Sequence, residues 1–378
     1  MDLFSEKVRR DPYPEYAELR RNSPVWFDPA KKVWLISTYR DVCAVLRDAD
    51  TFSASPASFE STLLGAPPLT HQRTRRVVGH AMTTGWVESL ERTILQATDD
   101  LIEKMAAQKE ADLVESFSAR LPMIVVANFL GIKEISESVL RSWALSIISV
   151  GDSSATSADA SASLASVTAC NQFLKAHVER QIEQGHDRFI SKCAMDPDRQ
   201  AGLTNSELVD ISGFMLVAGV LTTTNLITNA LLLMLNYGLQ KSFLERGGLI
   251  KSFIEEVLRF ESPVQRTKRI ALRPAILRGI EITEGALLEI LIGSANRDPD
   301  VFYRPDEFQI ERRHNPHVAF GPGPHFCLGA QLARLETKIA IEGFIRRFPD
   351  MALLPLPALT YGSELSLRGP TRLDVRLW

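Results

Sequence analysis

The chain of 378 residues has only four cysteines, Cys43, Cys170, Cys193 and Cys327, and no two share a paired spacing. That excludes a disulfide framework and leaves reduced thiols. No excess of basic residues is present. The net charge of −3 argues against a general nucleic-acid binder. The opening stretch "MDLFSEKVRRDPYPEYAELRRNSPV" has no apolar signal or anchor segment, so a cytoplasmic protein is expected. Charge is missing altogether from Ile211 to Gln240. A run of that length can cross a bilayer. However, Ser212, Thr222, Thr223, Thr224, Asn225, Thr228 and Asn229 form an expensive polar set for lipid. A helix buried on all sides in a soluble protein fits better, and no membrane is expected.

Hydrophobic residues make up 45% and charged residues 24%, an ordinary balance with ample chain for a large core. Length alone suggests two or three domains. No internal repeat or convincing linker divides the chain, so one domain over 1–378 is expected. Helical patterns dominate. A short strand pair is expected at "VWF" and "VWLIS", then a helix at "YRDVCAVLRDA". Thr70 is a candidate cap for a helix through "THQRTRRVVGHAM". Residues 151–167, "GDSSATSADASASLASV", are rich in Ser and Ala, and read as a flexible linker or as a lid over a pocket. Thr204 and Glu207 make a capping-box pattern at the head of the uncharged run. The helix from there to Tyr237 is about 50 Å long at 1.5 Å per residue. A small β-region is expected in "AILRGIEITEGALLEILIG", with a turn at Thr283-Glu284-Gly285. The last helix, "CLGAQLARLETKIAIEGFIRRF", places Leu328, Leu332, Leu335 and Ile339 on one face.

The strongest chemical signal is "FGPGPHFCLG", Phe320 to Gly329. Gly321 and Gly323 allow turns that other residues resist, and Pro322 and Pro324 stiffen the loop. Cys327 follows at the start of a helix, where exposed N–H groups favour thiolate. A rigid loop presenting a thiolate suits a soft axial metal ligand, and Gly329 permits close approach of a flat group. Zinc is disfavoured because no second Cys/His pair has ligand spacing. A nucleophilic role would need a base, and His325 is badly placed for that in so tight a loop. The other three cysteines read as inert buried thiols.

This loop resembles the haem-thiolate signature of the cytochrome P450 family, Phe-Gly-x-Gly-x-His-x-Cys-x-Gly, at every fixed position. The resemblance implies a mainly α fold in which a long central helix crosses a haem sandwiched against the cysteine-loop helix, with small β-sheets. It implies haem b (iron protoporphyrin IX) as cofactor and Cys327 as the iron's proximal ligand. His325 is then expected to hydrogen-bond a propionate, and Phe320 to pack near the sulfur. Other landmarks occur in family order. "EEVLR" gives the structural Glu256–Arg259 pair, which alone would be an exposed i, i+3 ion pair of little worth. "THQRTRR" gives His71 and Arg75, expected to reach the propionates along one helix, as is Arg269. Arg73 and Arg76 add charge that either forms a face for an acidic electron donor or is merely solvated.

The resemblance runs over nearly the whole chain and is to soluble bacterial members. It implies a ferredoxin and its reductase as electron donors, and a small-molecule substrate, free or carrier-bound, typically a specialised metabolite. A monomer is expected. The substrate pocket is expected from Phe59 to Leu64, from Phe214 to Thr222, from Pro263 through Val264 to Arg266, and from Tyr361 to Leu365, with Arg266 as a polar anchor. On the central helix the family pattern is Ala/Gly-Gly-x-acid-Thr. Here it reads Ala218, Gly219, Val220, Leu221, Thr222, so the proton-relay acid is replaced by leucine. Gly219 is expected to leave room for dioxygen, and Thr222 to bend the helix by bonding back to Ala218. Three readings follow: ordinary monooxygenation with protons arriving by another route; altered chemistry such as peroxide use, oxidative coupling, desaturation or rearrangement; and a haem-bearing protein without catalysis.

Overall fold

The computed structural model describes residues 5–54, 63–150, 157–185, 189–195, 202–355, 359–362 and 365–378. Two compact units emerge. One comprises Met1–Ala54, Thr98–Ser118 and Thr222–Trp378, the other Ser55–Ala97 and Ala119–Leu221.

The first unit carries a five-stranded sheet, in the order Val25–Asp28, Val33–Ile36, Leu287–Ile290, Thr267–Ala271, Phe52–Ser53. The expected hairpin forms: Val25–Asp28 pairs antiparallel with Val33–Ile36. Asp28 closes its turn by accepting the N–H groups of Ala30 and Lys31 at 2.9 and 3.1 Å. Val33–Ile36 runs parallel to Leu287–Ile290, a pairing across some 250 residues that local pattern cannot reveal. The inner face packs Val25, Ile36, Leu288 and Ile290 against Val42, Val45 and Leu46 of the Tyr39–Arg47 helix. That helix is capped by Thr38, whose hydroxyl accepts from the Asp41 amide.

The small β-region splits in two. Ala275–Leu277 and Ile280–Ile282 make a separate hairpin around Arg278 (φ 50°) and Gly279 (φ 77°), a left-handed pair suited to a two-residue turn. The expected turn at Thr283-Glu284-Gly285 exists, with Gly285 at φ 78°, but it leads into the main sheet.

The central helix spans Asn205–Asn236. Its capping box is reciprocal. The Glu207 amide donates to Thr204 Oγ1 at 3.3 Å, and the Thr204 amide donates to Glu207 Oε2 at 2.9 Å. This helix is long and apolar enough to cross a membrane, yet 72% of its most apolar window is buried within the protein. Ser212, Thr228 and Asn229 have partners there. Ser212 and Thr228 bond back to carbonyls four residues earlier, at 2.7 and 2.8 Å. Asn229 Nδ2 donates to the carbonyls of Glu261 and Arg368, both at 3.0 Å.

Three local expectations are corrected. Thr70 does not cap its helix: that helix spans Pro68–Ala81, with proline in its first turn, a position needing no N–H. The Ser/Ala segment is no linker over 157–167, because these residues open the Ser157–Gln184 helix; 151–156 lie outside the described residues. Alanine's helix propensity prevails over the loop-like composition. The helix after the cysteine spans Ala330–Arg347, three residues later than expected. Its apolar face is also rotated. Leu332 and Leu335 are half-buried, whereas Glu336 and Thr337 are buried beside Ile339.

Candidate active site

The cysteine loop belongs to the first unit, and its conformation follows from its glycines. Gly321 and Gly323 sit at φ 68° and 86°, the left-handed region. A Cβ at Gly323 would fall 2.7 Å from the Leu46 carbonyl, so the loop can lie against the Tyr39–Arg47 helix only with glycine there. The Gly321 amide donates to Val318 O at 2.9 Å and the Cys327 amide to Phe320 O at 2.9 Å, which closes the loop on itself. At Gly329 an added Cβ would meet only the Cys327 sulfur, at 3.9 Å. Cys327 is half-buried, while Cys43, Cys170 and Cys193 are buried. Burial pushes the Cys170 and Cys193 thiols up to about 12 and raises Cys43 as well, so those three stay protonated. Sequence spacing singled out one cysteine, and the structure singles out the same one.

Glu256 and Arg259, on the Leu249–Phe260 helix, are completely buried. Their fork-to-fork pair has contacts of 2.7 and 2.9 Å. Arg259 also donates to the carbonyls of Asn296, Pro305 and Glu307 at 3.1, 2.7 and 3.0 Å. Glu256 further accepts from the Gln309 amide at 2.9 Å and from Arg312 Nε at 3.1 Å. The pair therefore staples the segment leading into the cysteine loop, rather than decorating a helix surface. Arg312 escaped the sequence reading, because nothing at a fixed spacing marks it.

Arg269 is buried on the Thr267–Ala271 strand. Its Nη1 donates to the Lys268 carbonyl at 2.7 Å. Desolvation lowers it to about 10, and among the described residues no carboxylate pairs with it. A buried guanidinium lacking an acid fits an anionic group of a bound cofactor. Arg266 differs. It is buried against Glu289, 2.9 Å away, and near the Tyr16 hydroxyl, so its charge is already compensated. The polar anchor expected of Arg266 is thereby withdrawn. Next to Arg266, Val264 bridges Leu367, and the Gln265 amide donates to Ser366 O at 2.8 Å, both just beyond the expected Tyr361 to Leu365 segment. Leu365, the residue before Ser366, is half-buried.

In the second unit, the Pro68–Ala81 helix carries His71 and Arg75 one turn apart. Burial, then the Arg75 charge, lowers the His71 pKa, so the imidazole is held neutral. Arg73 is not a free docking charge, because it forms an ion pair with Glu207 at the head of the central helix. Leu64 is half-buried, and Phe59 lies outside the described residues. Gly219 packs tightly: an added Cβ would fall 2.8 Å from Val126 Cγ2.

Along the central helix, Phe214, Ala218, Leu221 and Thr222 are half-buried, while Leu216, Val220, Thr223 and Leu226 are buried. Spacings of four, three and one place the half-buried set on one face. That face is apolar except for the Thr222 hydroxyl and, one turn on, the half-buried Asn225.

Fold and site define a mainly helical oxidoreductase built around a single loop cysteine. A family model described as Cytochrome P450 matches residues 244–351. Putative cytochrome P450 YjiB of Bacillus subtilis is 35% identical over 361 residues, covering 92% of this chain and 91% of that protein. Mycinamicin IV hydroxylase/epoxidase of Micromonospora griseorubida is 32% identical, covering 95% of this chain and 94% of that protein. The solved structure of P450BioI in complex with hexadec-9Z-enoic acid ligated acyl carrier protein matches at a TM-score of 0.91 and 29% identity, over 98% of this chain and 100% of that one. The chain belongs to the cytochrome P450 family. It is a monooxygenase of that fold, and its cofactor is haem. The residues present fit that group: a half-buried thiol in a preset loop, and a buried arginine without an acid partner among the described residues.

Proposed function

We propose that this P450 inserts one oxygen atom from dioxygen into a C–H bond or alkene of a small or medium-sized, mainly apolar specialised metabolite. When bound, haem b supplies reductive activation of dioxygen at a thiolate-ligated iron. Cys327 is the ligand, and its closed loop holds the sulfur in place. By the family resemblance, His325, Arg269, His71 and Arg75 would hold the propionates, and Phe320 would pack near the sulfur. Thr222, beside Ala218 and Gly219, orders water and hands on protons. With Arg266 already paired, recognition of substrate falls to shape and apolar contact; the family resemblance assigns it to Leu64, Phe214 and Leu221 of one unit and to Val264 and Leu365 of the other. Phe59 is retained in that set from the sequence reading. A ferredoxin and its reductase deliver electrons to a cytoplasmic monomer that works as one domain over 1–378. The substrate arrives free or on a carrier; the complex of P450BioI with a loaded acyl carrier protein supports the latter route.

The observation that carries this reading is Cys327, the half-buried cysteine of a loop closed by its own backbone. The reduced carbon monoxide complex tests it. A thiolate-type absorption band is expected, and its absence from fresh protein would sink the proposal. A screen of candidate substrates by the haem spin-state shift would then identify the substrate class.

One observation favours a second reading. Leu221 stands on the half-buried face where an acid would relay protons, and an aliphatic side chain has none to give. Altered chemistry follows if protons do not reach the reacting oxygen: peroxide use, oxidative coupling, desaturation or rearrangement. Leu221→Glu separates the two. Under ordinary monooxygenation, the acid lowers the peroxide released per electron consumed. If leakage, turnover and product profile are all unchanged, proton delivery never depended on this position. If peroxide alone drives product formation as fast as the full electron chain, the altered chemistry holds instead.

A further inference from the structure

The Leu249–Phe260 helix carries two adjacent glutamates with separate tasks. Glu256 secures the segment before the cysteine loop, as described above. Glu255 faces both ends of the loop itself. Its Oε1 accepts from Arg334 Nε at 2.6 Å, and its Oε2 accepts from Arg334 Nη2 at 2.8 Å. The same Oε2 accepts from His317 Nε2 at 2.9 Å. His317 lies ten residues before Cys327 and Arg334 seven after it.

Both held side chains adjoin Phe320. The Arg334 guanidinium carbon sits 4.5 Å from the Phe320 ring centroid, within cation–π range. The His317 ring centroid is 6.1 Å from that of Phe320. His317 is fixed at its other nitrogen too, because Nδ1 accepts the Ala319 amide at 3.3 Å. Phe320 in turn accepts the Cys327 amide on its own carbonyl at 2.9 Å. One carboxylate therefore governs two side chains against a ring whose backbone is bonded to the cysteine.

We propose that Glu255, through Arg334 and His317, is a positioning residue for Cys327: it fixes the Phe320 ring and so the backbone that presents the sulfur. The arrangement matches the way outer partners hold a metal ligand without touching the metal. Bidentate geometry is essential to it, since a planar guanidinium can grip the carboxylate along one edge and lie flat on the ring at once. A lysine can do neither, although it keeps the charge. The inference rests on the haem-thiolate reading of Cys327.

The test uses the holoprotein, the single variants Glu255→Gln, Arg334→Lys, Arg334→Met and His317→Asn, and one double variant. The readout is the rate at which the thiolate-type band of the reduced carbon monoxide complex is lost on mild warming. Far-UV circular dichroism confirms that each variant is folded. Glu255→Gln and Arg334→Lys are expected to lose the band about 10-fold faster than wild type, the low end of the range for outer-shell partners of metal ligands. His317→Asn, which removes one arm only, should fall between. The double variant Glu255→Gln/Arg334→Lys should be no worse than the worse single, because both act along one path. If Arg334→Lys keeps wild-type band stability, and Arg334→Met raises only the KM for the electron donor, Arg334 is a docking charge and the inference fails. If effects of the singles add, Glu255 acts through some other route, and it fails as well. Wild-type protein without the band would instead overturn the haem-thiolate reading itself.

Discussion

Val126 explains Gly219 at the scale of a single residue. A Cβ there would come within 2.8 Å of Val126 Cγ2, closer than carbon atoms tolerate. A short β-branched side chain has few ways to move aside. Gly219→Ala gains about 1 kcal/mol of helix propensity but overpacks this contact, at a cost of about 1–3 kcal/mol. The expected balance is a loss of about 1 kcal/mol, read by urea unfolding, with Val126→Ala in the same chain restoring most of it. A variant more stable than wild type would show that packing does not require the glycine. The sequence marked Gly219 as costly in a helix, but it could not name the neighbour. The resemblance suggested room for dioxygen, whereas the contact with Val126 is a sufficient reason for glycine by itself. Arg266 and Arg73 teach the same point. Each reads as available charge in the sequence, yet Glu289 and Glu207 occupy them. A free cation and a spent one differ only by a partner that lies 23 residues away in one case and 134 in the other.

At the scale of elements, the Leu249–Phe260 helix is the organiser. Its i, i+3 spacing made the Glu256–Arg259 pair legible, and the family resemblance moved that pair from surface to core. The rest of the network was not legible. Gln309 and Arg312 join it from 53 and 56 residues beyond Glu256, in a stretch without regular periodicity. Two buried arginines depend on this single carboxylate. Glu256→Ala would leave both without a counter-charge, and breaking a buried pair on one side costs about 3–5 kcal/mol. Chemical denaturation should show a loss of that size. Arg259→Ala should cost a similar amount, because three backbone carbonyls and the glutamate lose their donor together. The double variant should cost much less than the sum, since the two share one network. Additive losses would mean that the pair is not a unit. By contrast, the central helix was legible from its cap to its end. Its capping box and Asn229, one of the polar residues that argued against lipid, recur as observed contacts.

For the whole molecule, the ten-residue cysteine loop and the order of the lesser landmarks disclosed the fold. The strand order could not be read in the same way. The parallel pairing of Val33–Ile36 with Leu287–Ile290 is fixed by which faces must be buried together, not by any local signal. Charge at this scale sets how stability responds to acid, and two glutamates pull in opposite directions. For Glu255, burial alone would raise the carboxyl, but hydrogen bonds and charge from Arg334 and His317 bring it from the ordinary 4.5 down to about 2. Its folded pKa is thus below its unfolded one, so its contribution is present above about 4.5 and is lost as pH falls toward about 2. Glu336 is the reverse. It is completely buried with Oε2 unpartnered among the described residues, and burial raises its pKa well above 4.5. A proton bound more tightly in the folded state favours folding at low pH. That benefit fades as pH rises from 4.5 toward the folded value, at up to about 1.4 kcal/mol per pH unit. Urea unfolding of the holoprotein between pH 3 and pH 8, roughly the range where carboxyl groups in proteins change charge, separates the two. Glu255→Gln should flatten the acid limb and leave the slope above pH 4.5 unchanged. Glu336→Gln should flatten that upper slope and be more stable than wild type at neutral pH, since an amide has no charge to bury. A Glu336→Gln protein that keeps the upper slope would place its origin in another group and show that the buried carboxyl is not neutral.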